Sequence, residues 1–573
     1  MSSAFALIDR LLHAQLWGKA VAAIDALPDG EAEELGALRR RRMALAMDGR
    51  LPEALDAALR VAAHTDSDAV DVQHLAHIQL RAMRMVNAFD SAERAIGLDP
   101  ALVRPYVVAT AAAALQPDLA ERLRALLGPP PEDDAEAGER REHGEKRDAP
   151  LSVAIPWRLP AYRSFSGPHP VITSSLGPGL RFEPRWAKPD APMQPARLLA
   201  LLPALTAWAS TANERQRAAI ADFLVHRLPF SLYVSPAADL TFHHTVPFAM
   251  DRRPWMFHLE HLNMVAAPMV TYPTAVLRTD DPQVAVLRER LGDPSCLGVF
   301  THIRQTKRLL DRLLDTPSIA EKTTYIRLGH DLIPARRSDR GRAPAIRRQV
   351  TTLLFTNSLA RDNFHIRGGP DVLRAFLDLH HRHGDIRLLM RSNFPLAGAE
   401  GLVRQSRRHP AITWITERLS DADIDALFTD SDLFLLPSGL LHAVSIVRAL
   451  RAGLALVASD IYGVDEFVRH GINGLIVPGR RVTPAPGVAE GAVYAEDCRR
   501  LLYPTAEPPD PLFQTRFRKT IGQLLDNPRF AARIRRNAKH GAALDHQGHR
   551  WASGISDFFL TRWAQAADTR RNG

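Results

Sequence analysis

Residues 432–479 read DLFLLPSGLLHAVSIVRALRAGLALVASDIYGVDEFVRHGINGLIVPG. Two apolar runs, Leu433–Leu436 and Leu454–Ala458, flank a segment whose apolar positions Ile446, Val447 and Leu450 recur at helical spacing and stop at Gly453. A short continuous apolar run bounded by turn residues reads as a strand buried on both faces, and a helix ended by glycine reads as the crossover between two of them. Strand, helix and strand in that order predict a parallel sheet covered by helices on both faces.

The same alternation extends upstream. TTLLFTNS, IRLLMRSN and AITWITE precede DLFLLPS, LALVASD and GLIVPG at comparable intervals. A second set of β-rich runs, SLYVSP, DLTFHHTVPF, PWMFHLEH, CLGVFTHI and KTTYIRLGHDLIP, lies earlier in the chain. Two α/β domains are therefore expected, over 151–345 and 346–573, the second closed by a helical tail. Between the two sets lie six arginines from Arg336 to Arg348, opposed by Asp339 alone. Residues 128–150 combine a proline run with dense charge and almost nothing apolar, so they read as a flexible linker.

Residues 1–127 are rich in Ala, Leu and Arg with helical periodicity. GKAVAAIDAL, GRLPEALDAAL and AFDSAERAIGLDP open alike; aligning Ala20, Ala54 and Ala92 spaces them 34 and 38 residues apart. That period resembles the tetratricopeptide unit, a helix–turn–helix that buries its face only by stacking. An irregular helical bundle is the alternative. Both readings make this part an interaction module with a protein partner.

The 432–479 segment resembles the donor domain of GT-B glycosyltransferases, and the large retaining family 4 in particular. The likeness runs through Asp432, Pro437-Ser438, Ala449-Leu450, Gly453, Ser459-Asp460, Gly463, Glu466 and Gly471-Ile-Asn473-Gly474-Leu475, with Arg367-Gly368-Gly369 matching an upstream Lys-Gly loop. The resemblance implies two Rossmann-like domains after the tetratricopeptide-like module. It also implies a nucleotide-sugar donor in the cleft between them, and transfer with retention to a glycan, lipid-linked or protein acceptor. A glycosyltransferase fold that has lost catalysis and binds partners through its repeats is the rival reading.

In an open parallel sheet, ligands bind beyond the carboxyl ends of the strands, where helix N-termini present free amides. The loop Ser438–Ser445, with His442, Ala443 and Val444, is thus expected to face a diphosphate, with Arg361, Arg367 and Gly368 beside it. The family places two glutamates eight apart at positions that here are Leu440 and Arg448, and neither can accept a hydrogen bond. Arg448 is expected to hold phosphate instead. On the acceptor side the family's strand-end histidine matches His258, with Glu260 a candidate acid or base; His243-His244 is a second candidate pair.

Other motifs have plainer readings. Asp421-x-Asp423 looks like a metal signature but follows Ser420, so it reads as capped acids in a first helical turn. His380-His381-Arg-His383 before Gly384 reads as a helix end with a glycine cap. No metal or cofactor is expected, and no aromatic–basic platform suggests nucleic acid. The 573 residues, 46% hydrophobic and 24% charged, exclude a disordered or fibrous chain. The net charge of +9 suits an anionic partner, such as a nucleotide or a membrane surface. Two distant cysteines offer no disulfide framework, and no apolar run approaches the roughly 20 residues a spanning helix needs. A cytoplasmic protein is expected, with room for peripheral contact at the inner face of a membrane.

Overall fold

The computed structural model describes residues 3–13, 17–129, 150–155, 179–184, 195–210, 238–244, 254–260, 282–332, 350–357, 363–393, 399–417, 419–439, 441–461, 463–480 and 510–572, with isolated positions between them. The linker expected at 128–150 and the run SLYVSP fall almost wholly outside these residues.

Two six-stranded parallel sheets carry the α/β part, as the alternation predicts. The first contains β1 (Leu151–Ile155), β2 (Leu180–Pro184), β3 (Leu240–His244), β4 (Trp255–His258), β5 (Cys296–Thr301) and β6 (Thr323–Tyr325), in the order β2-β1-β3-β4-β5-β6. The second contains β7 (Thr351–Thr356), β8 (Ile386–Arg391), β9 (Ile412–Ile415), β10 (Leu433–Leu436), β11 (Ala455–Ser459) and β12 (Gly474–Val477), in the order β12-β11-β10-β7-β8-β9. Every residue of β10 and β11 is buried, which is why these strands read as unbroken apolar runs. The helix Ala443–Ala452 between them buries Ile446, Val447 and Leu450 and ends at Gly453, whose φ of +77° is the left-handed conformation glycine accepts without strain.

The C-terminal tail stitches the sheets together. Helix Pro511–Asp526 packs on Gly369–His380, and Pro528–Asp545 packs on Ala443–Ala452. Helix Gly548–Asn572 then crosses to the first sheet, where Phe559 meets the rings of Phe242 and Phe300 at 5.4 and 6.4 Å between centroids. Such aromatic pairs add about 0.5–1.5 kcal/mol each beyond area burial. The two crossings between the sheets are clamped: His330 N donates to His546 O at 3.2 Å, and His546 Nδ1 donates to Leu328 O at 2.7 Å. A Cβ on Gly329 would sit 2.1 Å from Gln547 O, so no larger residue fits there.

The helical module spans nine helices from Ser3–His13 to Ala120–Leu127 among the described residues, each of the longer ones packing on the next. Helix Leu51–Ala63 shows the pattern: Ala54, Leu55, Ala58, Val61 and Ala62 form its buried face. This compact unit also includes residues 185–238 and 248–253, which return from the first α/β region; the remainder of the chain forms the second unit. Helix Leu198–Ser210 packs on Val103–Leu115, and Arg217 donates to the carbonyl of Leu115. That second cover explains why eleven of the thirteen residues in Val103–Leu115 are buried.

One end differs from its expected cap. Helix Gly369–His380 stops at His381 in a right-handed conformation, and Gly384 does not form the left-handed cap. His380 stacks on Phe376 and meets His409 edge-on, which gives this histidine a packing role.

Candidate functional site

In the second sheet the chain runs from β7 outward to β8 and β9, then returns to β10 beside β7 and proceeds outward the other way. The switch point therefore lies between the carboxyl ends of β7 and β10, where diverging connections leave a crevice. The loops that follow these two strands are the ones singled out by sequence. Arg361 and Leu440 lie outside the described residues.

The loops touch through glycine. Gly368 has φ +78°, and a Cβ there would lie 2.3 Å from Pro437 O; only glycine lets the Arg367–Gly369 turn lie against Pro437-Ser438. Phe364 closes the space under Gly369. Ser438 is buried, and its carbonyl accepts from Ser459 Oγ at 2.5 Å, which ties the β10 loop to the end of β11. Arg367, which precedes Gly368, is half-buried. The next helix begins at Ala443 with His442 as N-cap and no side-chain cap hydrogen bond. Among the described residues no side chain caps the first-turn amides of Ala443, Val444 and Ser445, the arrangement that attracts an anion.

Arg448 has a different environment from the one expected. It is 4% exposed, with Nη2 at 2.7 Å from Asp421 and Nε at 2.9 Å from Asp425, which is fully buried. His330, from the crossing between the sheets, contacts Asp425 at 3.1 Å and Arg448 Nε at 3.4 Å. The acids come from helix Asp421–Thr429, whose N-cap Ser420 accepts from Asp423 N at 3.1 Å. The Asp-x-Asp motif is a capped first turn, and Asp421 turns to the arginine. Among the described residues no three His, Cys, Asp or Glu side chains cluster as metal ligands.

The first sheet presents its strand ends to the same region. Ile303, just past β5, and Leu441, in the β10 loop, both border Gly463; a Cβ on that glycine would lie 3.2 and 3.1 Å from them. Glu466, one short turn on, accepts from the amides of Arg304 at 2.7 Å and Gln305 at 2.6 Å. A carboxylate of one α/β domain thereby caps the helix Arg304–Leu314 of the other. Burial pushes the Glu466 carboxyl above its ordinary value, opposed by those two amides.

His258 ends β4 fully buried against Phe300 at 4.6 Å between ring centroids. Its Nε2 lies 3.0 Å from Nδ1 of His302, and His302 Nε2 lies 3.7 Å from Glu260 Oε1. Thr306 Oγ1 fixes the Glu260 carbonyl at 2.8 Å. The structure therefore brings His258 and Glu260 together through a residue that sequence reading passed over. His302 is the penultimate residue of CLGVFTHI, one strand over from His258, and the pairing of β4 with β5 is what brings the two together. His243 is buried, with desolvation lowering its pKa to about 3, so it remains a neutral core ring packed on Trp255. The side chain of His244 lies outside the described residues.

No curated protein is significantly similar to the chain. Among solved structures, HepE of Anabaena in complex with UDP and glucose is 16% identical, covering 56% of this chain and 78% of that one with a TM-score of 0.37. Sucrose-phosphate synthase of Thermosynechococcus elongatus is 12% identical over 73% of this chain and all of that one, with a TM-score of 0.45. A mutant O-GlcNAc transferase of Thermobaculum terrenum is 14% identical over the full length of both, with a TM-score of 0.34. Residues 351–486, which hold β7 to β12 and both loops of the switch point, match the family model described as glycosyl transferases group 1, the family whose motifs the sequence resembles.

Proposed function

We propose that the chain is a retaining glycosyltransferase that moves a sugar from a nucleotide-sugar donor to a glycan, lipid-linked or protein acceptor. The observation that supports it most is the switch point: inside the segment that matches the family, the Arg367–Gly369 and Pro437–Ser438 turns meet beside an uncapped helix start. The diphosphate would lie against the amides of Ala443–Ser445 with Arg367 at its flank. Charge developing on the departing nucleoside diphosphate is then stabilised by oriented amides and a guanidinium, which needs no metal. Retention places the acceptor hydroxyl on the leaving-group face, where a phosphate oxygen can take its proton. Arg448, neutralised by Asp421 and Asp425, would support the site's wall rather than grip phosphate. The test is nucleotide binding by Arg367→Ala: UDP, GDP or ADP affinity should fall about tenfold or more, as loss of one charged hydrogen bond implies. Unchanged affinity would remove Arg367 from the phosphate site.

A second reading rests on the same arginine. Where the family carries a hydrogen-bond-accepting glutamate, Arg448 is locked by two carboxylates and offers no acceptor for a ribose hydroxyl. A binding protein that has kept the fold and lost transfer would show this. Nucleotide binding without donor turnover would favour it.

A further inference from the structure

Resting on the nucleotide-sugar reading, we propose that Glu260 is a carboxylate that binds a sugar hydroxyl, and that the buried pair His302 and His258 is the device that orients it. The contact between the rings can share its proton in two ways. If His258 Nε2 donates to His302 Nδ1, a neutral His302 carries its own proton on Nε2, which faces Glu260 Oε1. The opposite arrangement sets a bare ring lone pair against a carboxylate, which is repulsive. The favourable tautomers therefore form one directed chain, from His258 through His302 to Glu260.

Burial follows the same direction. His258 is fully buried and His302 nearly so, whereas the Glu260 side chain is 27% exposed. Among the described residues His302 Nε2 has no hydrogen-bond partner, and the 3.7 Å gap to Glu260 closes with a small rotation of the carboxylate. The Glu260 main chain is held by Thr306, which sits in the first turns of the helix that Glu466 caps from the other domain. The half-buried Glu260 carboxylate thus stands near the edge where the two α/β domains meet. An ionised carboxylate offers about four acceptor positions, so it can accept from a ring N–H and a hydroxyl at once. A sugar presents such donors, and comparing a nucleotide sugar with its bare nucleoside diphosphate isolates the hydroxyls that the sugar adds. Glu260 is the contacting group; His302 acts through it and is a positioning residue.

Calorimetric titration of the full chain with UDP and with UDP-glucose, or the GDP and ADP pairs if uridine is not bound, separates the contributions. Glu260→Gln and His302→Phe should leave diphosphate affinity within about twofold and weaken the nucleotide sugar about tenfold, the lower end for a charged hydrogen bond. His302→Gln, which keeps an N–H donor toward Glu260, should recover part of that loss. Equal ratios of sugar to diphosphate affinity in all four proteins would overturn the proposal. Parallel loss of both ligands would also overturn it, by showing a purely structural role. Wild-type protein that binds none of the three pairs would refute the nucleotide-sugar reading itself, and the inference with it.

Discussion

Arg448 and Asp425 form a buried pair in which neither charge has much access to water. Removing one member of such a pair strands the other, at a cost of about 3–5 kcal/mol. Arg448→Ala should therefore lower the urea-unfolding free energy by that amount. Arg448→Glu should do at least as much harm, because it sets a third carboxylate beside Asp421 and Asp425; stability close to wild type in either variant would contradict the assignment. Gly368→Ala drives a methyl group toward Pro437 O and strains a positive φ, so the two switch-point turns should separate. A measurable fall in stability of about 1–3 kcal/mol and a weaker nucleotide titration are expected together. At this scale the sequence showed where the loops were and missed what their side chains touch. Leu440 and Arg448 stood out as departures from the family glutamates, yet the acids that answer Arg448 lie 27 and 23 positions upstream on another helix. Only packing brings them together.

Glu466 shows how one residue joins two elements that are far apart in sequence. It supplies the cap that the helix Arg304–Leu314 lacks from its own N-cap, Ile303. Glu466→Ala should cost about 0.5–2 kcal/mol, the range for losing a cap. The pH dependence has a definite sign. Because the folded carboxyl titrates above its ordinary value of 4.5, its contribution to stability is fully present below that value and is lost as pH rises through the raised one. The stability difference between wild type and Glu466→Gln, followed by denaturant melts from pH 4 to 7, should shift against the wild type as pH rises; a shift in its favour would contradict the burial argument. Strands were the most legible elements. All six of the second sheet coincide with apolar-rich runs; β10 and β11 are buried along their whole length and carry the most continuous ones, whereas β8 and β9 place exposed Arg387 and Thr413 between apolar residues. β1 and β2 were not singled out: β2, LRFEP, alternates polar and apolar residues, and LSVAI is short and follows the charged linker.

At the scale of the whole molecule, the alternation of strands and helices gave the two parallel sheets correctly, and the helical periodicity gave the N-terminal module. What the chain order concealed is that residues 185–238 and 248–253 fold with that module. Periodicity reports which face of a helix is apolar, not which distant helix covers it. The consequence is measurable. Proteolysis within 130–149 should yield two fragments that co-elute on size exclusion until denaturant is added, because Leu198–Ser210 remains packed on Val103–Leu115. Fragments that separate under native conditions would contradict that packing. The central claim is transfer chemistry at the β7–β10 switch point, and its most direct test is donor hydrolysis by the full-length protein across UDP-, GDP- and ADP-sugars. The account predicts release of one nucleoside diphosphate in preference to the others, in the presence of a metal chelator, and its loss in Gly368→Ala; no release from any donor, or release that Gly368→Ala leaves untouched, would contradict it.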